Sequence, residues 1–252
     1  MSLRRALNKW VNRKYFLWRV AVREYPLEYY LDKMKTGKVF SFSRYGDGEW
    51  NAIWGRDGKN SDGHTYFPEL GERLRRSLLL PYNYFYSLGA QCMTHDGPAI
   101  AGYLKRNCIN LIWHDCDVFH RACMQGKLYP LIQQLRTMDV LFVGPNHLRK
   151  VNRILFPYCH FIEVPSKNCF LKVNEVEEEI LRYAEKQGKM VIAFSASMAS
   201  NVMIYDLFPT IGHDHWLIDF GSLWDIFVGV KSRGYHTRLD WGSIIDNNLG
   251  VS

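Results

Sequence analysis

Seven short apolar runs, at residues 39–43, 84–88, 109–113, 140–143, 161–164, 190–194 and 216–220, constrain this chain more than any other feature. Each is mainly apolar and too short for a buried helix, the pattern expected of a strand covered on both faces. The intervening stretches carry helical periodicity. It is clearest over residues 173–186, where Val173, Val176, Ile180, Tyr183 and Ala184 share one face while Glu177, Glu178, Glu179 and Lys186 lie mainly outside it. Gly188 then ends the helix and the next apolar run begins at once. Such alternation specifies an α/β fold, Rossmann-like, with a largely parallel sheet, helices on both faces, and ligands at the carboxyl ends of the strands. The 252 residues, 47% of them hydrophobic, suffice for one substantial core. With no repeat, low-complexity tract or linker, the parse is one domain over residues 26–252 preceded by a separate segment, residues 1–25.

That first segment holds the charge imbalance. The chain carries a formal charge of +7, and residues 1–23 contain Arg4, Arg5, Lys9, Arg13, Lys14, Arg19 and Arg23 with no acid. Setting these aside leaves 25 bases against 25 acids, so the body is neutral and offers no basic groove for nucleic acid. Advanced at about 100° per residue, Leu3, Leu7, Trp10, Val11, Leu17, Trp18, Ala21 and Val22 fall on one arc, a basic amphipathic helix. Two readings follow: a helix lying on an anionic membrane surface through residues 1–23, or one packing its apolar face on the domain. No run reaches the roughly 20 apolar residues of a membrane span, and the segment lacks the apolar core and cleavage site of a secretory signal.

The cysteines, Cys92, Cys108, Cys116, Cys123, Cys159 and Cys169, contain no C-x-x-C pair and are expected as reduced thiols. His114, Cys116, His120 and Cys123 cluster in sequence but match no standard zinc-ligand spacing.

Chemistry concentrates at Arg44-Tyr45-Gly46-Asp47-Gly48-Glu49, directly after the first apolar run. Residues i and i+2 point together in extended backbone and diverge by roughly 200° in a helix, so Asp47 and Glu49 are expected to converge on a metal in a non-helical segment. Gly46 and Gly48 favour that and would let a ligand approach the backbone, with Arg44 supplying a cation to the same side. A rival stands at Asp115-Cys116-Asp117, a D-x-D after another apolar run. Other strand ends carry polar punctuation: Asn146 after Gly144-Pro145, Ser195 to Asn201 opening a helix, and Asp219 closing the last run. Each is a candidate ligand contact or a cap. Asp219 and Asp117 are the candidate catalytic bases.

The string R-Y-G-D-G-E resembles the signature of the GT-D-type glycosyltransferases, a Rossmann-like group tied to bacterial adhesin and surface-glycan glycosylation. Weaker similarities lie at residues 117–122, 143–145, 194–201 and 218–223. The resemblance implies that Asp47 and Glu49 form a D-x-E pair positioning a divalent cation, Mn²⁺ before Mg²⁺, against the diphosphate of a nucleotide sugar, a UDP-sugar being the favoured donor. Arg44, Gly46, Gly48, Asn146, Ser195 and Asn201 would line the donor site, and the acceptor would be a glycan or glycoprotein on the cytoplasmic side, at or near the inner membrane face. Two other classes remain. Paired carboxylates also run glycoside hydrolysis, although neighbours at i and i+2 suit chelation better than opposite sides of a sugar. The basic helix alone would suit a non-enzymatic membrane or nucleic-acid binding module.

Overall fold

The computed structural model describes residues 3–251. Its first half runs α1 (Leu3–Arg19), β1 (Val22–Arg23), α2 (Leu27–Lys35), β2 (Ser41–Tyr45), α3 (Asp47–Ile53), α4 (Pro68–Leu79), β3 (Phe85–Leu88), α5 (Ala90–His95), α6 (Gly97–Arg106) and β4 (Trp113–Asp115). The second runs α7 (Val118–Met124), α8 (Tyr129–Arg136), β5 (Val140–Gly144), α9 (Val151–Ile154), β6 (His160–Glu163), α10 (Val173–Ala184), β7 (Val191–Phe194), α11 (Ala199–Ile211), β8 (Trp216–Asp219) and α12 (Trp241–Leu249). Short 3₁₀ turns at Asn146–Lys150 and Gly234–Thr237 lie in the connections after β5 and β8.

Eight strands form one sheet in the order β1-β4-β3-β2-β8-β7-β5-β6, and every pairing is parallel. Side chains alternate between two cores. Along β5, Val140 and Phe142 enter one core with Phe42, Trp216 and Ile218, whereas Leu141 and Val143 enter the other with Tyr45, Ile192 and Leu217. Burial on both faces explains why most of these strands read as mainly apolar runs. From β2 the chain moves outward through β3 and β4; β8, the last strand to enter, closes beside β2 from the other half. The carboxyl ends of these two central strands are therefore neighbours.

Two strands differ from the sequence expectation. The run at 109–113 was expected as a strand, but β4 begins only at Trp113, because β3 pairs with His114 and Asp115 and Ile112 is left 53% exposed outside the ladder. β1, two residues long and pairing with β4, falls inside the segment expected to be helical. The helix stops at Arg19. α1 docks on α5 and α6 through fully buried Phe16 and through Asn12, whose Nδ2 donates to the Thr94 carbonyl at 3.1 Å. Of the apolar arc, Leu17 and Val22 pack against the core, whereas Leu7, Trp10, Val11 and Trp18 are exposed.

Close helix packing supports the α3–α4 pair beside β2. A Cβ on Gly71 of α4 would stand 2.3 Å from the Ala52 carbonyl oxygen of α3, which no relaxation of a flexible side chain relieves. Gly71→Ala is expected to cost about 1–3 kcal/mol, read from denaturant unfolding. Gly188→Ala, with nothing within 4 Å of the new methyl, should leave the midpoint where it is or raise it.

Candidate active site at the carboxyl ends of the central strands

β2 ends at Tyr45, and Gly46 in extended conformation (φ −102°, ψ −168°) turns the chain directly into α3. Asp47 and Glu49 thus lie in the first turn of a helix, not in extended backbone. The sequence held the reason: Glu49 stands three positions after Gly46, and its Oε2 accepts the Gly46 N–H at 2.8 Å, the carboxylate half of a capping box. Asp47 is exposed while Glu49 is 9% exposed, and they are near enough for Asp47 to raise the Glu49 carboxyl, though on a helical turn and not through extended-backbone spacing. The glycines also serve differently from expectation. A Cβ on Gly46 would meet Glu49 Oε2 at 3.2 Å, and one on Gly48 would meet Met198 Sδ at 3.2 Å. Their missing side chains admit the chain's own groups.

The partner that Glu49 does find is Asp219, at the end of β8. Burial pushes the Glu49 carboxyl up to about 7, the N–H groups of Glu49 and Gly46 restrain it, and Asp219 and Asp47 push it further. Asp219, 4% exposed, is raised to about 6, again chiefly by burial, against the pull of Arg44, the Gly221 N–H, Ser200 and Arg233. Its Oδ1 accepts that Gly221 N–H at 2.9 Å.

Arg44 supplies the cation that holds this cluster together. Its Nε donates to the Cys116 carbonyl at 3.2 Å. Burial alone would lower its pKa, but Cys116, Asp219 and Asp117 more than offset that and keep the guanidinium charged. Gly221, at φ +54°, passes so close that a Cβ there would fall 2.0 Å from Arg44 Nη1. Asn201, expected against the donor, is instead fully buried as a clamp: its Oδ1 accepts the Arg44 N–H at 2.8 Å and its Nδ2 donates to the Arg44 carbonyl at 2.7 Å. Both ends of the amide are committed.

The other expected residues divide. Ser195, at the end of β7, is 8% exposed and its hydroxyl has no partner, an orphan suited to a polar ligand. Asn146 lies outside the cluster, past β5 and roughly 14 Å across the sheet from β2 at ordinary strand spacing. There it donates to Glu163 Oε2 at 2.8 Å. Asp117 borders the site beside Arg44, but its Oδ2 accepts the Ala90 N–H at 3.2 Å. The rival D-x-D does not converge, since Asp115 is paired with Arg121 and accepts the Asp117 N–H. His114 is likewise spent, its Nδ1 bonded to the Tyr30 hydroxyl at 2.7 Å.

Arg233, unremarked in the sequence, closes one side. It donates to Ser222 Oγ at 2.8 Å and to Asp62 Oδ1 at 2.9 Å, tying the segment after β8 to the loop between α3 and α4. That loop reaches the turn after β7 as well, where Asn60 Nδ2 donates to Ser197 Oγ at 3.1 Å and Ser197 adopts φ +54°. No periodicity marks Arg233; a search for a second cation facing the acids would have found it.

Among the described residues no group of three or more His, Cys, Asp or Glu side chains can hold a metal ion by itself. The exposed Asp47 and buried Glu49 and Asp219 are nevertheless hard oxygen donors, the type a divalent cation takes when substrate phosphates complete its shell.

Neither a family model nor a curated protein matches this chain. Solved structures do. One described as showing that "the highly conserved domain of unknown function 1792 has a distinct glycosyltransferase fold" aligns with a TM-score of 0.64 at 18% identity, covering 86% of this chain and 83% of that one. A second, "A New Glycosyltransferase (DUF1792) from Streptococcus sanguinis", aligns at 0.62 with 20% identity over 82% of each chain. The chain therefore has this glycosyltransferase fold, the GT-D-type architecture that the hexapeptide resembled.

The raised Glu49 value has a checkable consequence. Its folded value of about 7 lies above its ordinary 4.5, so the folded state binds the extra proton between those limits and loses stability as pH rises through them. In EDTA, the unfolding midpoint of the wild type should fall from pH 5 to pH 8. Glu49→Gln should flatten that decline; an unchanged slope would place the titrating group elsewhere.

Proposed function

We propose that this protein is a glycosyltransferase moving a sugar from a nucleoside diphosphate sugar to a glycan or glycoprotein acceptor. One observation carries the reading: buried Glu49 stands beside buried Asp219, and Asp219 beside a charged Arg44, at the carboxyl ends of the central strands of a glycosyltransferase fold. Asp47 and Glu49, with Asp219 nearby, would hold a divalent cation, Mn²⁺ in preference to Mg²⁺, which when bound neutralises charge on the diphosphate leaving group. Arg44, held by Asn201 and the Cys116 carbonyl, presents fixed positive charge to that side, and the free Ser195 hydroxyl offers a hydrogen bond. Asp219 is the best-placed base for the acceptor hydroxyl, because a value near 6 leaves it ionised yet able to take a proton at neutral pH. A UDP-sugar is the favoured donor, and the motif resemblance favours a bacterial surface-glycan acceptor.

The reading is tested by thermal stabilisation with a panel of nucleotide sugars, with and without Mn²⁺. The matching donor at 100 times its dissociation constant should add about 2.7 kcal/mol, and only with metal present. Asp47→Asn and Glu49→Gln should each lower transfer by about 10- to 100-fold or more while leaving the far-ultraviolet spectrum unchanged. Sugar released to water at an EDTA-insensitive rate would instead make the buried acids those of a glycoside hydrolase.

A further inference from the structure

We infer that α1 and the crevice beside it form a docking surface for an anionic lipid bilayer. The helix is mounted with much of its apolar arc, Leu7, Trp10, Val11 and Trp18, facing outward. Phe16 and Asn12 fix one side to α5 and α6, leaving Leu7 58%, Trp10 59%, Val11 47% and Trp18 72% exposed on the other. Arg13 is tied to Glu24 at 2.8 Å, but Arg4, Lys14 and Arg19 are exposed. Two of these cations stand over the outward indoles: the Arg19 guanidinium lies 4.1 Å from the Trp18 ring and the Lys14 amine 5.9 Å from the Trp10 ring. Charge and apolar area thus share one face.

The apolar surface continues past the helix. A crevice of ≈ 400 Å³ between the end of α1, α6 and the approach to β4 is lined by Tyr15, Leu104, Ile109 and Ile112, with Arg19 and Lys105 also on its wall. Ile112, 53% exposed, extends the face onto the body of the domain.

Charge decides the occupant. Residues 1–23 hold seven bases and no acid, while the rest of the chain is balanced, so this face complements a sheet of anionic headgroups. Tryptophans flanked by lysine and arginine are the side chains that settle at a headgroup boundary, their rings in the acyl margin and their cations among phosphates. No helix in the described residues is long and apolar enough to cross a membrane, so attachment here is from the surface.

The test uses the full chain without sugar donor or metal, so its outcome is independent of the transferase reading. Sedimentation with phosphatidylcholine vesicles containing 30% phosphatidylglycerol should carry the protein down, and pure phosphatidylcholine at least about tenfold less. Raising salt from 0.1 to 0.5 M should release a large part of it. Trp10→Ser/Trp18→Ser and Lys14→Glu/Arg19→Glu, all at exposed positions, should each lower binding about tenfold or more with the thermal midpoint unchanged. Equal binding to neutral and anionic vesicles, or none to either, overturns the proposal. So does a concentration-dependent dimer that the double tryptophan variant abolishes, which would assign the face to a second copy.

Discussion

The candidate site depends on keeping one guanidinium charged among buried acids. An arginine at the end of a central strand is costly to desolvate unless anions and carbonyls surround it. Arg44 obtains both, from the Cys116 carbonyl after β4 and from Asp219 and Asp117 at the ends of β8 and on the loop after β4. Three strand ends are thereby referred to a single cation. Asn201 fixes the backbone that carries it, and the absence of a side chain at Gly221 leaves room for it. The relation is reciprocal: Arg44 restrains the rise of Asp219, which is why that carboxyl sits near 6 rather than higher.

Most of the sheet was legible because burial on both faces writes strands as short, mainly apolar runs. Legibility failed where that rule fails. β4 carries His114 and Asp115, polar residues paired with Tyr30 and Arg121, and β1 is too short to have a pattern. The hexapeptide was located correctly and its backbone was not. Gly-x-x-Glu is equally a helix start, and the glycine content that suggested an extended loop instead relieves crowding against Glu49 and Met198.

The site's membership was harder still, since it is assembled across the sheet rather than along the chain. Asn201 looked like a ligand contact because small polar residues open α11, yet the register of α11 on β2 directs its amide to the Arg44 backbone. Asn146 follows a strand end of the same appearance, but β5 lies two strands beyond β8 and Glu163 is nearer than any shared ligand. Glu49 and Asp219 are 170 positions apart in the chain, and only the pairing of β2 with β8 makes them neighbours.

Charge balance across the site bears on why a metal belongs in the proposed reading. Asp47 and Glu49 lie near Asp219, Asp219 and Asp117 lie near Arg44, and Arg233, which also acts on Asp219, is already committed to Asp62 and Ser222. A diphosphate entering such a field meets more carboxylates than free cations, so its approach is disfavoured by the protein alone. Two responses are open to the acids: to bind protons, which the raised values of Glu49 and Asp219 permit near neutrality, or to bind a divalent cation that brings the phosphate with it. The first leaves neutral carboxyls with little to offer a leaving diphosphate. In the proposed reading the second would turn the same repulsion into shared coordination, and so would make donor affinity and metal affinity mutually dependent.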